Sequence, residues 1–187
     1  LPPEEQQAWT ENLLMRLYVQ DDNTPYVCIL DTGINIGHPL IKPFITEQDQ
    51  FSVDSEWLPT DDDGHGTGMA GLAIWGDLAE SLSSSEQVQI NHRIESVKLL
   101  RYSGDNEGKH HGIITADGIS LPEIANYART RVFAMALSSI DGRDRGKPSA
   151  WSSTVDSLAV DYLGENQNRR LITVCAGNTG QDLTALM

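Results

Sequence analysis

Three short stretches set residues of catalytic type at the ends of apolar runs. Val27-Cys28-Ile29-Leu30 leads into Asp31-Thr32-Gly33. The acids 61–63 lead through Gly64 to His65, Gly66, Thr67 and Gly68 and then a run of small residues. Leu171-Ile172-Thr173-Val174-Cys175 leads into Ala176-Gly177-Asn178. An aspartate followed by Thr-Gly suits two chemistries. Two such aspartates sharing one proton activate water, whereas a single one orients a histidine that carries a proton. The third reading is a plain turn at a strand end. Glycines on both sides of His65 and the small-residue run after it let a helix approach a sheet closely and hold the imidazole in place. The alternative is a surface histidine at a helix start. The acids at 61–63 form a solvated loop, or raise the His65 pKa, or supply negative charge at a helix start. They also invite a structural calcium, but one short acidic run without further ligands does not support it, and no cofactor is required. Gly177-Asn178 is either a turn or a carboxamide donor for a developing oxyanion.

Elements must bring these groups together. Trp9, Leu13 and Leu17, with Leu14 and Tyr18 beside them, predict an amphipathic helix over 4–19. Short apolar runs predict buried strands at 26–30, 96–100, 131–137 and 171–175, with further strands at 51–53 and 88–90. A buried helix is expected from Gly66 to about Leu78, and a helical pattern over 113–129 is broken near Pro122. Ser149 is placed to cap a helix carrying Trp151, Val155, Leu158 and Tyr162. The polar stretches 103–111 and 138–149 read as loops. Strands alternating with helices imply an α/β fold, a parallel sheet covered on both faces, with functional groups beyond the carboxyl ends of its strands. Water-activating aspartate pairs belong to all-β chains with a second Asp-Thr/Ser-Gly, and this chain has no second copy.

The whole chain bounds the partners. One domain fits 187 residues. Thirteen basic and 27 acidic residues give a formal charge of −14, which argues against nucleic acid and anionic membrane surfaces. No apolar run is long enough to span a bilayer. Two cysteines, Cys28 and Cys175, make no disulfide framework. They and the missing leader lean the expected location toward the cell interior.

Taken together, the motifs resemble the subtilases, the subtilisin-like serine peptidases. The resemblance runs in order through ILDTGI with His38-Pro39, DGHGTGMAG, SVKLL, FAMALS and VCAGN, nearly the whole chain. It implies a three-layer α/β fold with a mainly parallel seven-stranded sheet. It also implies roles: Asp31 orients His65, His65 takes and returns a serine proton, and Asn178 donates to the oxyanion. Ala136, Leu137, Ser138, Cys175 and Gly177 would wall the specificity pocket, and Leu100 would edge an extended polypeptide substrate.

Departures from the pattern are specific. Gly68 stands where the family has a second histidine, and Ala136 where serine is common. Residues 1–24 are too short for the inhibitory propeptide of many secreted members. No Gly-Thr-Ser nucleophile occurs, and nine residues follow Asn178. The expectation is a peptidase domain over 1–187 whose remaining C-terminal part carries the serine, the fragment alone being inactive and unstable unless its sheet edge is covered. The alternative is a non-catalytic module that binds extended peptides; a minor third reading is an aspartic peptidase. Cys28 and Cys175 are expected to be unbonded, with strand 131–137 between them, and Cys175 to be open to alkylation.

Overall fold

The computed structural model describes residues 2–20, 24–138, 147–165 and 167–177. Its centre is a five-stranded sheet in the order β3-β5-β2-β6-β7. The strands are β2 (Tyr26–Asp31), β3 (Gln50–Ser52), β5 (Arg93–Lys98), β6 (Arg131–Met135) and β7 (Leu171–Val174). Every ladder in it is parallel, so the carboxyl ends share one edge. The central strand β2 is the near-continuous apolar run that a strand covered on both faces requires, and Cys28, Leu30 and Asp31 are fully buried.

Alternation along the strands divides the core in two. On one face Ile29 and Ile94 pack with Ala70, Ile74 and Trp75 of α2 (His65–Trp75) and with Phe44. Phe44 and Trp75 meet edge to face at 5.6 Å, and the Trp75 indole N–H donates to the Leu40 carbonyl at 3.0 Å. On the other face Cys28, Leu30, Val97, Leu99, Phe133 and Met135 pack with Ile119 of α4 (His111–Ala125) and with Trp151, Val155 and Leu158 of α5 (Ala150–Ala159).

Several boundaries differ from the sequence pattern. Helix α1 (Pro3–Arg16) stops three residues before the expected end, and Leu17–Val19 forms a strand, β1, paired in parallel with β4 (Val88–Ile90). Arg16 explains the break: its guanidinium donates to the carbonyls of Ser81 and Glu86, tying the chain to the segment before β4. Strand β4 therefore belongs to a small second sheet rather than to the main one, which has five strands here. Residues 78–83 form a separate helix, α3 (Leu78–Ser83), capped by Asp77, whose carboxylate accepts from the Ala79 N–H. The turn at Gly76, with φ +58°, ends α2 before it. Strand β5 begins at Arg93, ahead of its apolar run, and the buried Glu95 within it is paired with Arg129 and Arg131. Pro122 is tolerated inside α4 without a break. Ser149 caps α5 as expected, but Tyr162 lies in a separate 3-10 turn.

Strand β6 separates β2 from β7, and Cys28 and Cys175 are free thiols, one buried and one exposed. The outer strand β7 leaves Leu171 and Val174 largely exposed. Among the described residues no helix is long and apolar enough to cross a membrane.

Candidate active site

Asp31 is the last residue of β2 and His65 the first of α2, so the α/β crossover brings them together from 34 positions apart. The imidazole Nδ1 lies 2.8 Å from Asp31 Oδ1 and 3.0 Å from Oδ2. Oδ1 also accepts from the Thr32 N–H at 2.8 Å, which fixes the carboxylate plane. Asp31 is wholly buried, whereas the His65 side chain is 44% exposed. Among the described residues nothing bonds its Nε2. The hydrogen bond that His65 donates to Asp31 raises the His65 pKa above the ordinary histidine value; partial burial opposes this, and the charges of Asp31, Asp63 and Asp61 add to it. A carboxylate at Nδ1 makes Nδ1–H the favoured tautomer, leaving the exposed Nε2 as a base.

The start of α2 is built without a capping side chain at the cap position. Gly64 occupies that position with φ +95°, a conformation glycine adopts freely. Asp61 supplies the missing acceptors. Its Oδ1 accepts from the Gly64 and Asp63 N–H groups at 2.8 and 3.1 Å. Its Oδ2 accepts from the Thr67 N–H and hydroxyl at 2.8 and 2.5 Å. Burial pushes the Asp61 pKa up, but the Thr67 and Gly64 hydrogen bonds and that of Thr32 outweigh it, and the carboxyl stays below its usual range.

Thr32 joins this cap to the strand. Its hydroxyl donates to Asp61 Oδ1 at 2.8 Å and accepts from the Gly66 N–H at 2.9 Å. A methyl group on Gly66 would collide with the Gly33 carbonyl oxygen, so only glycine lets the helix start this close to the strand end. The sequence offers the acids 61–63 as negative charge at a helix start without separating Asp61 from its neighbours, and it gives Thr32 and Thr67 no role. The signal was an acid four residues before the histidine and a threonine two after it.

The other expected site residues are partly assembled. Leu100, Leu137 and Ser138 line one pocket of about 870 Å³ between the segment after β5, the start of α4 and Trp151 of α5. Ala136, Cys175 and Gly177 do not line it. They follow β6 and β7 at the same sheet edge, where the Cys175 N–H donates to the Met135 carbonyl and Gly177 faces Ser138. Asn178 lies outside the described residues. Among the described residues no group of three or more His, Cys, Asp or Glu is arranged to hold a metal ion.

The order and placement of these motifs agree with a comparison against protein families: the model of the subtilase family matches residues 22–186. The chain belongs to the subtilase family. Searches among curated proteins and among solved structures returned no match. As a subtilase the chain has a serine peptidase-like function, a hydrolase acting on peptide bonds in general terms. The two-aspartate reading of Asp31 has no place in this α/β fold.

Proposed function

We propose that the chain supplies the aspartate and histidine of a serine endopeptidase site. The observation that carries the reading is the His65 Nδ1 contact of 2.8 Å to the buried Asp31 carboxylate. Asp31 holds the imidazole with Nε2 outward and stabilises its protonated form. Nε2 takes the proton of a serine hydroxyl as that oxygen attacks the peptide carbonyl, then returns it to the leaving amine. The side chain of Asn178 donates to the oxyanion between these steps. An extended polypeptide lies along the segment at Leu100, with Leu100, Leu137 and Ser138 receiving one of its side chains; Ala136, Cys175 and Gly177 stand beside that pocket at the same sheet edge. The catalytic groups need no metal or organic cofactor.

The reading requires a serine in a Gly-Thr-Ser context, which residues 1–187 lack. The molecule to test is therefore the complete gene product. It is expected to react covalently with a fluorophosphonate probe, and His65→Ala is expected to abolish labelling. A complete protein that ignores the probe yet binds extended peptides would be a binding module instead.

A further inference from the structure

One buried cation takes no part in this proton transfer. Lys98 ends β5, with none of its surface exposed. It pairs in register with Asp31, so the two side chains rise from one face of the sheet on neighbouring strands. A buried ammonium is costly unless its three protons all find acceptors. Lys98 Nζ donates to the Thr60 carbonyl at 2.5 Å, to Asp62 Oδ2 at 2.5 Å and to the Leu58 carbonyl at 3.0 Å. All three acceptors lie in residues 58–62. That is the stretch carrying Asp61, the carboxylate that caps α2 and receives the Thr32 hydroxyl. The same stretch abuts the turn at Gly33, where the Ile34 N–H donates to the Pro59 carbonyl at 3.4 Å. The loop before the histidine is thus gripped from beneath by a lysine standing beside the aspartate.

We propose that Lys98 is a positioning residue for His65: it clamps residues 58–62 to the sheet, and through Asp61 it fixes where the first turn of α2 meets Asp31. The kinetic part of this inference rests on the peptidase reading above; the geometric part does not. A simple ion pair makes the opposite prediction. If Lys98 acted only by charge, neutralising it would remove a cation near the imidazole and leave Asp62 unpaired, and both changes raise the His65 pKa. If Lys98 acts by position, neutralising it loosens the Asp31–His65 contact, and the pKa falls.

The test is the NMR titration of the His65 ring in the complete gene product, its signals assigned by their loss in His65→Ala. Lys98→Met keeps much of the stem's volume and removes the charge. The expected result is a His65 pKa lower by about 1 unit. Peptide turnover should fall about 10- to 100-fold in kcat while KM stays within about twofold, as expected for a displaced catalytic group. A pKa that rises or stays unchanged in a cooperatively folded variant would overturn the proposal. Should Lys98→Met not fold, Lys98→Gln, which keeps an N–H donor for the carbonyls, is read by the same sign. If the complete protein hydrolyses nothing, the kinetic reading falls, while the titration still decides the role of Lys98.

Discussion

Strand β5 carries two buried charges, and the regions around them differ in kind. Near its start Glu95, fully buried, receives Arg131 at 2.5 and 3.0 Å and Arg129 at 2.7 Å. Arg129 also reaches Asp49 at 2.6 Å and lies over the Tyr26 ring at 4.1 Å. Arg131 further donates to the Pro122 and Asn126 carbonyls at the end of α4, tying the helix end to the same cluster. Guanidinium does not deprotonate in proteins, so neither arginine here can serve as a base near neutral pH. At the other end Lys98, Asp62, Asp61, Thr32 and Asp31 form a comparable network, but it leads to a half-exposed imidazole whose Nε2 has no partner among the described residues. Burial of charge is common to both regions. What distinguishes the functional end is that its network ends on an accessible group able to exchange a proton.

This contrast can be broken by mutation. In the complete protein Asp31→Asn should cut kcat by about 10,000-fold, the size seen when a triad aspartate loses its charge and the histidine its tautomer, with little change in the urea midpoint. Peptide turnover within tenfold of wild type would erase the distinction. Glu95→Ala should do the reverse. It strands Arg131 in the interior and should cost about 3–5 kcal/mol in urea unfolding, while activity per folded molecule is kept. A loss of kcat at unchanged stability would mean that the two ends are coupled.

Asp61→Ala should stand between them, costing about 1–2 kcal/mol as a lost helix cap and also lowering kcat, because the same carboxylate sets the start of α2. A purely thermodynamic effect, read by chemical denaturation beside kinetics, would make Asp61 structural only.

The pH dependence sharpens the contrast further. Asp31 raises the folded-state pKa of His65, and the base acts when neutral. Activity should therefore rise with pH along a limb lying alkaline of an ordinary histidine. The stability that this contact gives the charged form is fully present below the unfolded-state pKa and is lost as pH rises through the raised one. Asp61, held low, contributes stability above its unfolded-state pKa that is lost as pH falls through the lower one. A kcat/KM limb at or below the ordinary histidine pKa would contradict the first statement.

The smallest effect concerns the thiols. Cys28 is buried and its pKa pushed well up by that burial and by the Glu95 charge, whereas Cys175 is exposed. Iodoacetamide should label Cys175 alone in the native protein and both thiols after denaturation, read by peptide mass. Native labelling of Cys28 would mean that the sheet opens readily.

The sequence made the site more legible than its supports. Asp31 and His65 announce themselves because each terminates a strong local pattern, an apolar run or a small-residue helix. Asp61 and Lys98 do not, since an acid in an acidic loop and a lysine in an apolar strand have ordinary local meanings. Only the crossover geometry brings Lys98 to residues 58–62. The boundary at Arg16 was hidden likewise: helical spacing continues through Leu17 and Tyr18, but the guanidinium binds carbonyls 65 and 70 positions away. That contact holds the end of α1 beside the segment that leads into β4, the strand with which β1 pairs. Pro122 misled in the opposite direction, because tertiary packing on the buried face of α4 outweighs the helix-breaking tendency of proline.

The most direct test of the account is the His65 titration in the complete protein, compared between wild type and Asp31→Asn. The account predicts a wild-type imidazole pKa above the ordinary histidine value that falls in the variant, together with loss of the hydrogen-bonded Nδ1 proton resonance. An unchanged pKa with that resonance retained would contradict the claim that Asp31 holds and tunes His65.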